Sequence, residues 1–531
     1  MSTKQSVTFK NTGYFSKIIC DYLEERESIR NFYNHFPDIN GFEKQIALRS
    51  SKDNLLDRNT LVQVLRNQYK NIPASTLTTN NIESLLKENT FTITTGHQLN
   101  LFTGPLYFLY KIISTINLAK QLKKEFPENS FVPIYWMATE DHDFEEIQYF
   151  NFQGKKIRWN REAAGAVGRL STEGLDAVFN DFSLKLGTSK NAEEIKGLFK
   201  RSYLENNNLA DATRFLANEL FGDYGLVIID ADNKDLKKRF IPFIKDELLD
   251  RTSHKEVSNT IQKLGQDYKI QVNPREINLF YLDDNLRERI IVEDGIYKIN
   301  NTDLSFSKEA MLKMVEDSPE KFSPNVLLRP LYQEVILPNL CYIGGGGELA
   351  YWLELKEYFD AMDVPFPVLL LRNSAVLCTP KQVKKMKRLD ISKEEIFAEQ
   401  NKLINKKIKQ ISEISIDFTE QRSQLEKMFY DLEILSNKTD PSFLGAVKAQ
   451  EKKQINGFNK LEKRLLKAQK RKMKEVVDRI TTLQDQIFPN RSLQERNTNF
   501  SEFYLNYGES LIPILFNALQ PLELNFDLIE I

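Results

Sequence analysis

Along residues 91–150 the spacing of apolar positions changes twice. Residues 91–95 are short and rich in β-forming side chains, whereas Leu106, Leu109, Ile112, Ile113, Ile116, Ala119 and Leu122 recur at helical spacing. Residues 132–138 return to a continuous apolar run, the kind a strand buried on both faces needs. The pattern predicts a βαβ unit. Thr103 is the expected helix N-cap, Pro105 lies in the first turn, and Lys120, Lys123 and Lys124 load the end where positive charge suits the helix dipole. In such a unit both strand carboxyl ends lie on the sheet edge where ligands bind. The loops leaving that edge, TGHQLNLFTG and TEDHDFEE, are polar, and each holds one of the chain's four histidines.

Elsewhere the pattern alternates between core-like and satellite segments. Residues 1–90 read as helices joined by short polar stretches. Residues 151–225 lose the parallel-strand pattern, with a turn and short strand at 154–158 and helices over 192–222. GLVIIDADN then predicts a further parallel strand, 226–229, with Asp230 and Asp232 at its ligand edge. INLFYLDDNLRERIIVEDGIYKI alternates strand and turn and reads as antiparallel hairpins. The core resumes with a helix near Pro324, a short strand, the run Gly344–Gly347 and the apolar strand 368–371, which ends in Arg372 and Asn373. From about 380 the texture is helical. Val383, Met386, Leu389, Ile396, Leu403, Ile404, Ile408 and Ile411 form one seam. After the TDPSFLGA break a second seam runs from Phe458 to Ile487 and is interrupted at Lys472. Two such arms predict an antiparallel coiled-coil hairpin.

Composition narrows the class. At 531 residues with 41% hydrophobic and 28% charged side chains, the chain has the make-up of a soluble protein of several domains. A net charge of −1 gives no bulk attraction to nucleic acid. Cys20, Cys341 and Cys378 are far apart, which argues against a disulfide framework or a cysteine-rich zinc site and suits a reducing cytosol. No signal-like segment and no apolar run of about 20 residues is present, so the expected location is cytoplasmic, with no membrane contact.

The candidate chemistry clusters at the predicted ligand edge. Gly96, His97, Gln98, Asn100, Thr103 and Gly104 occupy a strand-to-helix turn of the kind that attracts phosphate, where a histidine can stabilise charge developing at phosphorus. A capped structural turn is the plain alternative. Glu140, Asp141 and His142 suit substrate ammonium or hydroxyl recognition, general base work or magnesium, against the alternative of a solvated helix start. Gly344, Gly345 and Gly346 either admit a ligand to the backbone or form a hinge. Arg329 and Arg372 are candidate anion partners or structural ion pairs. No dedicated metal site is expected. Residues 448–474 form a basic arm, read as a solvated face or a contact surface.

TTGHQLNLFTGPLYFLYKI, VPIYWMATEDHDFEEI and YIGGGGELAYW…VPFPVLLLRNSA together resemble the BshC family, the cysteine ligases of bacillithiol biosynthesis, over nearly the whole chain. The resemblance implies an α/β, Rossmann-type parallel sheet core, like that of class I synthetases and nucleotidylyl transferases, interrupted by connecting-peptide insertions and followed by an α-helical coiled coil. On that plan 1–150 holds the N-terminal helices and first half of the core, 151–225 is the first insertion and 226–239 a core strand. Residues 240–322 are the second insertion, 323–379 the second half of the core, 380–490 the coiled coil, and 491–531 a tail packing back on the core. The implied reaction adds L-cysteine to glucosaminyl-malate through a carboxyl activated by ATP, with Mg2+ as its companion, in a homodimer formed through the coiled coil. Catalytic roles then fall to His97, Gln98, Asp141 and His142. Substrate or nucleotide binding falls to Gly96, Asn100, Thr103, Gly104, Glu140, Arg329, Gly344, Gly345, Gly346, Arg372 and Asn373. The relatives' His–Gly–His nucleotide motif is replaced here by Gly96-His97-Gln98, and FSPNV (322–326) is only a positional candidate for a second nucleotide loop. A ligase for another small amine, or a nucleotide-binding scaffold without catalysis, are the competing expectations.

Overall fold

Five strands form the core sheet: β1 (Thr90–His97), β2 (Ser130–Met137), β3 (Val227–Asp230), β4 (Asn339–Gly344) and β5 (Val368–Leu371). Nearly every side chain in them is buried, because helices cover both faces of the sheet they form. They lie in the order β5-β4-β1-β2-β3, and all four neighbouring pairs are parallel. This is the order of a doubly wound Rossmann sheet, with its topological switch point between β1 and β4. The computed structural model describes residues 4–52 and 56–531.

Three helices adjoin β1 and β4 along the chain: α1 (Tyr107–Glu125), α2 (Leu328–Ile336) and α3 (Gly346–Trp352). Leu118, Ala119 and Leu122 of α1 pack with Phe91, Ile93, Ile343, Val368 and Leu370 of the sheet, and Phe42 of the N-terminal helix Ile39–Ser51 joins the same core. Burying a side chain of this size contributes about 1.5–3 kcal/mol, so this layer fixes the sheet and with it the positions of the strand ends.

The segments between β2 and β3, and between β3 and β4, are satellites of the sheet. The first contains an antiparallel hairpin, Tyr149–Phe152 with Lys155–Arg158, followed by helices. The second contains a five-stranded antiparallel sheet built on Leu279–Asp283 and Leu286–Glu293. A third small sheet places Phe526–Glu530 between Lys4–Val7 and Ser374–Cys378.

The chain divides into two compact units, Met1–Leu377 with Ser492–Ile531, and Cys378–Arg491. The second is all helical. Its longest elements, α4 (Thr419–Ser436) and α5 (Pro441–Lys472), form the antiparallel hairpin, with Arg422 near the start of α4 donating to Asn459 and Glu462 far along α5 at 2.8 and 3.0 Å. Pro441 opens α5, where its missing N–H is harmless, and Asp440 caps it. The turn thus falls at the TDPS break, but the first arm is α4 rather than residues 383–411. That seam is split into Pro380–Arg388 and Gln400–Ile411, with Asp390 in the left-handed region (φ 50°) between them. The interruption at Lys472 is where α5 stops. Among the described residues, no helix is long and apolar enough to cross a membrane.

Candidate functional site

A cleft of about 860 Å³ opens at the carboxyl ends of β1, β2 and β4, over the switch point. Six cations line it (Lys111, Arg275, Arg287, Arg329, Arg372 and Arg496) against four carboxylates (Glu140, Asp141, Glu146 and Glu348), so its wall favours anions.

The end of β1 is held from below by α1. Lys111 Nζ donates to the Gly96 carbonyl at 2.6 Å and pairs with Glu348 of α3 at 2.6 Å. Glu348 also accepts from the Tyr342 hydroxyl and from the Gly345 N–H, at 2.7 and 3.2 Å. Gly96 lets the cleft-lining side chains come close to the backbone: a Cβ there would sit 3.2 Å from the Tyr342 hydroxyl and 3.9 Å from an Arg329 nitrogen.

His97 is buried beside the rings of Tyr107 and Phe108. Burial, reinforced by the charges of Lys111 and Arg372, pushes its pKa well below the usual histidine range, so the ring is neutral. Its bond to the Thr103 backbone favours a ring proton and involves Nδ1, because Nε2 has no protein partner. Nε2 therefore carries a lone pair and accepts a hydrogen bond; the neutral ring cannot donate from that atom to a phosphate.

Arg329, on α2, lies over the rings of Trp136, Tyr342 and Trp352 at 5.8, 5.4 and 5.9 Å. One nitrogen donates to Gln333 at 3.0 Å, and Nη2 is buried without a protein partner. Arg372, just past β5, donates to Glu495, the Asn373 carbonyl and Ser374 at 2.8, 2.9 and 3.0 Å, which leaves only Nε without a partner. A Cβ built on Gly345 would lie 3.8 Å from that Nε, so the absence of a side chain keeps the approach open.

The loop after β2 supplies the acids. Burial pushes Glu140 up to about 7, against the pull of Lys237, with which it forms an ion pair. Burial also opposes the charge on Asp141, but its hydrogen bonds from His142 and Gln98 and the nearby Arg287 charge outweigh that and hold the carboxyl well below the usual range. Gln98 donates to both Asp141 and Glu146, at 2.9 and 3.0 Å. Arg287, from the satellite sheet, donates to His142 Nδ1 at 2.6 Å; a guanidinium cannot accept, so the His142 proton is on Nε2.

Family profiles cover the chain in two pieces. One described as "Bacillithiol biosynthesis BshC, N-terminal Rossmann-like domain" matches residues 1–373, and one described as "Bacillithiol biosynthesis BshC, C-terminal coiled-coil domain" matches residues 375–531. The chain belongs to the BshC family. A BshC relative from Flavobacterium johnsoniae is 59% identical over 525 residues, covering 99% of both chains. One from Christiangramia forsetii is 58% identical over 528 residues, 98% of both, and one from Cytophaga hutchinsonii is 37% identical over 525 residues, 99% of this chain and 98% of that. Each carries the name "Putative cysteine ligase BshC". The C-terminal BshC profile includes residues 492–531, which in space belong to the first compact unit.

In this BshC chain the cleft gathers Gly96, His97, Gln98, Glu140, Asp141, His142, Arg329, Gly345 and Arg372. Six of the residues expected there lie elsewhere. Asn100, Thr103 and Gly104 belong to a buried turn whose backbone groups are largely taken up internally, while Asn100 Oδ1 and Thr103 Oγ1 are buried without a protein partner. Asn499 donates to the Phe102 and Gly104 carbonyls, Phe102 N–H donates to Tyr203, and Leu106 N–H donates to the Thr498 carbonyl. The helix begins only at Tyr107, with Thr103 in the left-handed region (φ 68°) instead of at the cap. Gly344 faces Leu349, and Gly346 faces Ile19 and Phe15. Asn373 is held by Ser114 and the Gln520 carbonyl. Asp230 and Asp232 also miss the cleft: they bind Thr139, and Arg169 and Lys237.

The structure adds residues that local sequence did not single out, notably Lys111, Tyr107, Glu348, Arg275, Arg287 and Arg496. Lys111 is one turn beyond Tyr107 on the face of α1 that meets β1, a placement detectable only as a lone charge on an otherwise apolar helix stripe. The others come from segments that no local periodicity connects to the core. Among the described residues, no group of three or more His, Cys, Asp or Glu is arranged to hold a metal ion.

Proposed function

We propose that the protein is an ATP-dependent ligase that joins the carboxyl group of L-cysteine to the amine of glucosaminyl-malate, forming an amide. The names of its relatives support a cysteine ligase. The observation that carries the finer reading is a set of three buried polar atoms without protein partners, Arg329 Nη2, Arg372 Nε and His97 Nε2, on residues lining a cation-rich cleft. Buried donors and acceptors are normally satisfied, so these three are suited to groups brought by substrate.

An amide does not form from a carboxylate and an ammonium in water without activation. A cysteine carboxylate oxygen attacks a phosphorus of ATP, a P–O bond breaks, and pyrophosphate or ADP leaves. The sugar nitrogen, once its ammonium form has lost one proton, then attacks the carbonyl carbon, the bond to the phosphate oxygen breaks, and a second proton leaves the nitrogen. Arg329 and Arg372 hold the anionic groups. Asp141, ionised, binds the ammonium or hydroxyls, and Glu140 takes the proton; Asp232, 3.4 Å from Lys237 Nζ, keeps that ammonium partnered when Glu140 becomes neutral. Among the described residues the cleft acids are not grouped to hold a metal ion, and Mg2+ would enter on the nucleotide phosphates. Self-association through the helical unit is supported by apolar side chains left exposed on α4 and α5, including Met428, Tyr430, Leu435, Phe443 and Leu461.

Incubating the protein with cysteine, glucosaminyl-malate, ATP and Mg2+ and weighing the product by mass spectrometry tests the reading. A product heavier than the acceptor by one cysteinyl group, absent without ATP, is expected; product formed with no nucleotide would rule out ATP activation.

A further inference from the structure

One wall of the cleft is a loop with no regular structure, residues 271–275, which contributes Gln271, Val272 and Arg275. A segment of this kind holds its shape only through its tethers, and this one has two. At its far end Asn278, buried, accepts from Arg275 N–H at 3.1 Å and donates to the Arg275 carbonyl at 2.9 Å. At its near end Glu354, 1% exposed, accepts from Gln271 N–H with one oxygen at 2.7 Å and from Val272 N–H with the other at 3.3 Å.

Glu354 is an expensive choice for a tether. No Lys or Arg forms an ion pair with it among the described residues, and a buried carboxylate without a cation is destabilising unless hydrogen bonds to its charged form compensate. Two backbone amides from the cleft loop are the partners it has. Its own position is equally telling: it follows directly on α3, which presents Gly347, Glu348 and Tyr351 to the same cleft. One helix thus lines one part of the cleft and, at its end, fixes the opposite loop.

Arg275 is the reason such fixing matters. Its guanidinium makes no hydrogen bond or ion pair among the described residues, whereas Lys111 and Arg372 are already paired with Glu348 and Glu495. A planar guanidinium with free donors matches a carboxylate in two-point geometry. We infer that Glu354 is a positioning residue that holds the 271–275 loop in place so that Arg275 binds a carboxylate of the acceptor substrate. The identity of that acceptor as a dicarboxylate rests on the ligase function proposed for this cleft; the tether itself does not.

Two measurements on the full-length protein test it. In hydrogen exchange, Glu354→Gln, which replaces one acceptor oxygen with an NH2 group that cannot accept, should speed exchange at Gln271 and Val272 about tenfold or more, while Thr252–Leu264 keeps its protection. Unchanged exchange in the loop would overturn the tether. In steady-state kinetics, E354Q and R275A should each raise KM for glucosaminyl-malate about tenfold, with kcat and the KM for cysteine and ATP within about twofold. The double variant should be no worse than R275A alone, because Glu354 acts through Arg275. Additive effects, or an equal rise in KM for cysteine, would overturn the positioning role. If the unaltered protein forms no product, the ligase reading fails, and the exchange result still decides the tether.

Discussion

Lys111 Nζ stands 2.6 Å from a Glu348 carboxylate oxygen and 2.6 Å from the Gly96 carbonyl, so one buried ammonium ties the end of β1 to the start of α3. The two strand ends that flank the switch point are thereby locked to each other through side chains as well as through the sheet. Removing one member of a fully buried pair costs about 3–5 kcal/mol; Lys111 is buried but Glu348 is partly exposed, which places this pair at the lower end. Lys111→Met should therefore lower stability by about 3 kcal/mol in denaturant unfolding, and adding Glu348→Gln should restore part of it. A loss well under 1 kcal/mol would mean that water already compensates both charges.

His97 offers a neutral acceptor to the cleft. Loss of a group of this kind from proton handling typically costs about 10²–10⁴ in rate. His97→Ala should cut kcat for product formation at least about a hundredfold while circular dichroism stays unchanged. Full activity in that variant would remove His97 from the chemistry.

On the proposed mechanism Glu140 sets the pH dependence. The carboxyl must be ionised to take a proton, and burial pushes it up to about 7, so the rate rises with pH through about 7 and levels off above. Glu140→Gln should lower the rate on the plateau and abolish the acidic limb. A limb that persists in the variant assigns the titration to another group.

Gln494 bonds both the N–H and the carbonyl of Leu377, at 2.9 and 3.1 Å, so the two chain crossings into the helical unit lie side by side. Replacing residues 378–491 with a short flexible linker should leave the first unit folded and convert a dimer into a monomer by light scattering. A full-length chain that already scatters as about 62 kDa (61.9 kDa per chain) would defeat the dimer proposal.

The parallel core was legible because most of its strands, buried on both faces, read as unbroken apolar runs, β1 because it is rich in β-forming side chains, and α1 because its stripe is wide. The strand ends came with those runs, which is why Gly96, His97, Glu140 and Asp141 were found. What escaped was set by distant partners. Nothing near Thr103 or Asn100 tells that Asn499 and Tyr203 occupy their turn, and a strand-to-helix loop with internally satisfied amides looks, in sequence, like one that binds phosphate. Arg372 is similar: its charge is conspicuous, but its partner Glu495 is 123 residues away. The coiled-coil turn was readable from Pro441, yet the arm before it was assigned too early, because apolar spacing continues across the break at Asp390 that only backbone geometry shows.

The Arg372–Glu495 contact also sets an order of events during synthesis. Glu495 and the strand Phe526–Glu530, which pairs with Lys4–Val7, leave the ribosome only after the whole of α4 and α5 has been made. Segments emerging first generally fold first, so the helical unit can form while the cleft still lacks Glu495, the residue that orients Arg372. The Arg372 side of the cleft is therefore completed only after the helical hairpin has been made.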